Sequence, residues 1–288
     1  MGTSHSSHDA EASGSTQIAS DETLRRLSMA VAGAFTLLVL AFLAILFLGA
    51  YIPVESFGEG FVDYSLLVQI LTPPSGYYTA FLNVIGVVVV SAITSVIAGI
   101  FVGLGRVSKT PFTARISRAY VEFFRGTPLL FQLIAVYYGI PALFGTGNFP
   151  IQNFGWPAAV IGLTLNHAAY TGEAVRGGIE SIPEGQMEAA RTLGMGYVQS
   201  MREVILPQAW RNAVPAVGND MIILVKDTSL LTVIAFPELI SQWQYTYSNT
   251  FDAWTPLVVV GALYLLITVP LSSIVQRAGS VVETGDRR

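Results

Sequence analysis

Along this chain, long uncharged apolar stretches alternate with short clusters of polar and charged residues. Residues 29–52 and 76–105 contain no Asp, Glu, Lys or Arg. About 20 apolar residues cross a hydrocarbon core as a helix, so each stretch predicts one span. Residues 126–172 are also uncharged but too long for one crossing. Turn residues from Gly145 to Pro150 and from Asn153 to Pro157 divide them into two spans. Residues 212–237 are apolar apart from Asp220, Lys226 and Asp227, and residues 253–276 are again uncharged. The pattern predicts an all-α membrane protein with six transmembrane helices.

The clusters between the spans orient the chain, because Lys and Arg near span ends are retained on the cytoplasmic side. With Arg25 and Arg26 inside, the other inner segments hold Arg106, Lys109, Arg115, Arg118 and Arg125, then Arg176, Arg191, Arg202 and Arg211, then Arg277, Arg287 and Arg288. The three outer links, near 53–75, 144–156 and 238–252, contain neither Lys nor Arg. Both termini are therefore expected in the cytoplasm of a cell-membrane protein, and the 181–213 loop with them.

Composition agrees with a bilayer as solvent. Hydrophobic residues make up 52% of the chain and charged residues 12%, against about a quarter charged in soluble domains. There are no cysteines, which excludes disulfides, thiolate metal sites and a Cys nucleophile. A net charge of -4 gives no reason to expect nucleic acid. Residues 1–27, rich in Ser, Thr, Gly, Asp and Glu, predict a disordered cytoplasmic tail in which His5 and His8 are solvated. Residues 28–52 predict a retained N-terminal span, too long and too far into the chain for a cleaved signal. Within the outer link 53–75, residues 64–71 can form a short amphipathic helix at the interface or serve as packing.

The inner loop 181–213 reads as two short helices. Ser181-Ile-Pro-Glu184 has the form of a capping box, with Pro183 in the first turn. Met187, Ala190 and Leu193 then make one apolar stripe, and Gly194 and Gly196 supply the turn. A second helix is expected from Tyr197 to Leu206, with Val198, Met201 and Ile205 on one side, before Pro207 breaks it. The small Ala189 and Ala190 let a partner approach closely, and Glu188 offers a charge to the contact. On local physics this is either a docking knob or an ordinary solvated connector.

Its letters carry a resemblance. Glu188-Ala189-Ala190, three residues, Gly194, nine residues, then Val204-Ile205-Leu206-Pro207 resemble the cytoplasmic coupling motif of ATP-binding-cassette (ABC) importer permeases, with Val204 where Ile is usual. Glu122-Phe-Phe-Arg-Gly-Thr-Pro-Leu-Leu-Phe-Gln132, Ala168-Ala-Tyr-Thr-Gly-Glu-Ala-Val-Arg-Gly-Gly178 and Leu224-Val-Lys-Asp-Thr-Ser-Leu-Leu231 resemble the polar amino-acid uptake branch of these permeases. The resemblance implies a type I importer transmembrane domain over 76–280, an extra span at 28–52 and a cytoplasmic tail at 281–288. It implies coupling to an ATPase through Glu188, Ala189, Ala190, Gly194, Leu206 and Pro207. It further implies an ATPase dimer that uses ATP and Mg, a second permease copy or a homologous permease, and an extracytoplasmic solute-binding protein. No cofactor is expected in the chain itself.

Residues that could meet a solute are Arg125, Thr127, Glu173, Asp220, Lys226 and Asp227. Arg125 precedes Gly-Thr-Pro, which can leave backbone groups free; it can face a carboxylate or an ATPase-side partner, or instead be a topology anchor at the interface. Glu173 and Arg176, at i and i+3, favour a structural ion pair. Charges within a span are costly and face a cavity or pair internally. Lys226 can neutralise either Asp220 or Asp227, and the excess acid can meet a solute ammonium. His167 reads as a packed or hydrogen-bonded histidine, and Gly99-x-x-x-Gly103 as a close helix contact. Gly103-Leu-Gly-Arg-Val-Ser-Lys-Thr110 lacks the second glycine of a phosphate loop and follows a span instead of a strand, so ATP is not expected there. The favoured function is an importer permease without an ATPase site of its own. A permease for another small solute, a self-sufficient transporter or channel running on Asp220, Lys226 and Asp227, and an assembly scaffold are the other readings.

Overall fold

The computed structural model describes residues 62–145 and 148–285. The tail and span expected at 1–27 and 28–52 lie outside them, as do His5 and His8. The elements in chain order are α1 (Tyr64–Leu71), α2 (Gly76–Arg106), α3 (Pro111–Gly126) and α4 (Leu129–Ile134), which continues through a π turn (Ala135–Gly139) to Ile140–Ala142. Next come α5 (Gly155–Glu180), α6 (Glu184–Thr192) and α7 (Tyr197–Ser200), the last followed by a π turn (Met201–Ile205). The chain then forms α8 (Leu206–Asp227), a 3-10 stretch (Thr228–Ile234), α9 (Leu239–Thr250) and α10 (Trp254–Gly285). Among the described residues every regular element is helical, as expected.

Of the expected spans in the described residues, α2 and residues Trp254–Gly279 of α10 are long and apolar enough to cross a membrane, and Leu129–Ala142 is a shorter apolar helix. The other two expected spans correspond to α5 and α8. Both are less apolar because they carry polar groups on their packed faces. Asn166, His167 and Thr171 of α5 and Asp220 of α8 are all buried.

Small residues decide how α2 and α5 meet. A Cβ on Gly99 would lie 2.5 Å from Thr171 Cβ, one on Gly103 would lie 2.6 Å from Val175 Cβ, and one on Gly172 would lie 2.7 Å from Val102 Cγ1. The expected Gly99-x-x-x-Gly103 contact is thus answered by a small residue on the partner helix, and the two backbones approach closely. α8 packs along the same helix nearer its C-terminal end, where a Cβ on Gly178 would stand 2.4 Å from the Ala209 carbonyl oxygen.

Two apolar clusters hold the bundle. One joins Val87, Leu133, Leu163, Leu231 and Phe236. The other joins Leu66, Ile70, Tyr77, Val84, Leu239 and Val259. Residues 64–71 do form a helix, and its Leu66 and Ile70 are packed into the second cluster.

Candidate functional site

The break between α3 and α4 creates the first wall of a polar pocket. Pro128 has no N–H and disfavours helical backbone at the preceding residue, so helix α3 ends at Gly126. The backbone groups released there are taken up locally. Thr127 Oγ1 donates to the Phe123 carbonyl at 2.9 Å, and the buried Gln132 donates from Nε2 to the carbonyls of Phe124 (2.9 Å) and Thr127 (3.1 Å). Asn166 of α5 completes the set, donating from Nδ2 to Gln132 Oε1 at 3.0 Å. Gln132 and Asn166 do not stand out in the sequence. Both are neutral amides in apolar runs, and only the unpaired carbonyls of a Gly-Thr-Pro break point to a need for them.

The pocket encloses about 430 Å³ and is lined by Arg125, Thr127, Asn166, His167, Tyr170, Asp220 and Asp227 among others. Four of the six residues expected along a solute path, Arg125, Thr127, Asp220 and Asp227, therefore meet in one cavity. Asp220 and Asp227 lie seven residues apart, two turns along one face of α8. His167 stands between them, with Nδ1 3.0 Å from Asp220 Oδ1 and Nε2 3.4 Å from Asp227 Oδ2. The second contact is not aligned, and among the described residues Nε2 makes no hydrogen bond. Thr171 adds a donor to Asp220 Oδ2 at 3.4 Å.

Lys226 does not take the expected place. It is exposed, and no ion pair joins it to Asp220 or Asp227. One residue along a helix is a turn of about 100°, so Lys226 cannot share the face of Asp227. The group set against the acids is His167, which the chain supplies from α5.

Glu173 belongs to a separate cluster. The expected pair with Arg176 forms at 2.6 Å, Arg106 joins at 3.5 Å, and Arg125 approaches to 3.9 Å. Arg176 also binds Glu180. The Arg125 guanidinium lies over the Tyr170 ring, 5.2 Å from its centroid, a cation–π contact at the pocket wall. Arg125 thus stands between the Glu173 cluster and the cavity.

The 181–213 loop forms a hairpin of α6 and α7 that departs from expectation in its caps and along its apolar stripes. No capping box forms at Ser181. Helix α6 begins at Glu184 with Pro183 at the N-cap position, while the Ser181 hydroxyl donates to Gly178 O at 2.8 Å and accepts from Asn212. Ser181 therefore finishes α5. Nor does Pro207 stop the second helix. The π turn Met201–Ile205, across which the Leu206 N–H reaches back to Met201 O, leads directly into α8 and carries Pro207 at the junction.

The turn of the hairpin follows its glycine. Gly194 has φ +88, its N–H donates to Arg191 O at 3.0 Å, and the Met195 N–H donates to Ala190 O at 3.2 Å. This is a Schellman termination, which requires a left-handed residue at that position. Ala190 is buried and Met187 partly so, but Leu193 is 82% exposed, and Val198 faces solvent instead of sharing the buried side of Ile205. Glu188 and Ala189 are also exposed, while Leu206 is half-buried. The free tip is thus more apolar than a solvated connector needs. Lys109, from the link between α2 and α3, sits 4.5 Å from the centroid of the Tyr197 ring and braces the hairpin base.

Comparison with known proteins places this arrangement. Residues 95–280 match the family model described as binding-protein-dependent transport system inner membrane component. The chain is 40% identical over 188 residues to the arginine transport system permease protein ArtQ of Bacillus subtilis, covering 65% of this chain and 84% of that protein. It is 35% identical to the probable glutamine ABC transporter permease protein GlnM of the same organism, covering 69% and 89%. A crystal structure of an amino acid ABC transporter with histidines matches 76% of this chain and 98% of its own, at a TM-score of 0.68 and 32% identity. The chain belongs to the family of binding-protein-dependent transport system inner membrane components, the membrane-embedded permease subunits of ABC importers.

Proposed function

We propose that this permease passes a polar amino acid across the cell membrane, using the pocket at Arg125, Thr127, Asp220 and Asp227 as part of the solute path. An α-amino acid carries a carboxylate and an ammonium. One arginine and two aspartates lining one cavity offer a partner to each. That pairing of opposite charges is the observation that carries the reading. It is supported by relatives named as arginine and glutamine permeases.

Residues 76–280 act as the transmembrane domain, with loop 181–213 as its coupling element, preceded by a tail (1–27) and an extra span (28–52) and followed by a tail (281–288). Both termini are cytoplasmic. The permease has no ATPase site of its own. It works as a pair, with a second copy or a homologous permease, above an ATPase dimer that binds ATP and Mg. A binding protein delivers solute from outside. Closure of the ATPases pulls on the hairpin through Glu188, Ala189, Ala190, Gly194, Leu206 and Pro207 and rocks the permeases between outward and inward openings. The apolar tip at Leu193 and Val198 gives the ATPase a surface to grip.

Reconstitution in proteoliposomes with the cognate ATPase and binding protein tests this. Uptake of a radiolabelled polar amino acid that needs ATP and is lost without the ATPase supports the reading. Uptake by the permease alone on an ion gradient contradicts it.

A further inference from the structure

The function above does not use His167, yet this side chain is 1% exposed and stands between the two carboxylates of the pocket. A neutral imidazole carries one N–H, so it can donate to only one of them, and the other then faces a ring nitrogen lone pair. An imidazolium donates to both. The two hydrogen-bonding sides are not equivalent here. Nδ1 is close to Asp220 at 3.0 Å, while Nε2 is buried, has no aligned partner and lies 3.4 Å from Asp227. Asp227 is therefore the carboxylate left open when the ring is neutral.

The remaining charges fix what this does to the cavity. Facing His167 are Asp220 and Asp227 from α8, the Tyr170 ring on its own helix, and Arg125 at the end of α3. Glu173, on the far side of Arg125, is held by Arg106 and Arg176, and Lys226 is exposed. Among the described residues, one arginine against two aspartates leaves the pocket with one excess negative charge when the imidazole is neutral, and with none when it is protonated. A zwitterionic amino acid with a neutral side chain matches the second state, and one with a cationic side chain matches the first.

Resting on the amino-acid reading above, we propose that His167 is a positioning residue that sets which solute charge the pocket admits. A lysine- or arginine-like side chain binds at Asp227 in place of the His167 proton. Cationic solute and proton are then mutually exclusive, so by linkage the affinity for the cationic solute rises with pH while that for a neutral one does not. No covalent step is involved. The proton lost from the imidazole goes to bulk water.

The test is equilibrium binding of tritiated lysine and tritiated glutamine to the permease–ATPase complex in nanodiscs without binding protein, from pH 5.5 to 8. The lysine-to-glutamine affinity ratio should rise about tenfold in the wild type. His167→Asn keeps an N–H near the position of Nδ1 but cannot titrate, and its ratio should not change with pH. An equal slope in His167→Asn, or a flat wild-type ratio, overturns the proposal while leaving amino-acid transport intact. Binding and uptake of neither amino acid would instead overturn the amino-acid reading itself. If His167→Asn does not assemble, Asp227→Asn serves in its place: it should lower the ratio at pH 8 about tenfold, and an unchanged ratio contradicts the proposal.

Discussion

A Cβ placed on Gly103 of α2 would stand 2.7 Å from the carbonyl oxygen of Gly172 on α5. The obstacle is backbone, so it cannot rotate away. Gly103→Ala should therefore force the helices apart and cost about 1–3 kcal/mol. Gly177→Ala is the control, since nothing lies within 4 Å of the added carbon. Thermal unfolding of the purified permease should show a lowered midpoint for the first and none for the second.

Gln132 closes the α3–α4 break with bonds to two carbonyls and to Asn166. Gln132→Leu keeps the apolar contacts of the stem but leaves these groups unpartnered in a buried setting, at a cost of about 1–3 kcal/mol. Because Asn166 belongs to the same network, Asn166→Ala combined with Gln132→Leu should cost less than the sum of the single changes. Chemical denaturation of the four proteins measures this. An additive result would remove Gln132 and Asn166 from a common role.

How much of the molecule is legible in the sequence depends on sequence distance. Apolar runs locate α2 and α10, and the i, i+4 spacing of Gly99 and Gly103 marks a close helix contact without naming its partner, because these are local periodic signals. The glycine turn of the hairpin is legible for the same reason. The pocket is half legible. Arg125, Thr127, Asp220 and Asp227 stand out as polar groups in apolar surroundings, but His167 is 53 residues from Asp220 and joins it only through helix packing. Lys226 misleads because adjacency in sequence is not adjacency on a helix face. At Ser181 the capping-box letters are present, yet the hydroxyl has a nearer use, ending α5 at Gly178.

Glu238 caps α9 from the outer link expected at 238–252, accepting from the N–H groups of Ile240 and Ser241 at 2.6 Å each. It is 0% exposed. Burial, partly offset by those donors, pushes its carboxyl up from 4.5 to about 7. A carboxyl raised on folding holds its proton more tightly in the native state, so stability is greatest below about pH 4.5 and falls as pH rises to about 7. Glu238→Gln removes this titration at the cost of one acceptor. The gap in unfolding midpoint between wild type and Glu238→Gln should shift against the wild type from pH 5 to pH 8, equivalent to on the order of 1–3 kcal/mol. A constant gap would contradict the burial argument.

Gly194 holds its left-handed conformation without steric crowding, since no atom of the described residues lies within 4 Å of where a Cβ would stand. Any penalty for Gly194→Ala is therefore conformational, about 1 kcal/mol. Gly194→Asn, better tolerated in that region, should recover part of it. In the assembled importer, ATP-driven uptake should fall in the order wild type, Asn, Ala. Equal uptake by all three would separate the turn from coupling.

In the proposed mechanism the hairpin is the lever, and the absence of cysteine from the chain makes that role directly testable. Leu193→Cys places a single thiol at the exposed tip. In membranes containing the ATPase, bifunctional cross-linking should join this thiol to the ATPase subunit, at a yield that changes when ATP is added. Maleimide should label it only after the inner face is opened. Labelling from outside in intact cells, or a transporting complex in which position 193 never cross-links to the ATPase, would contradict the account.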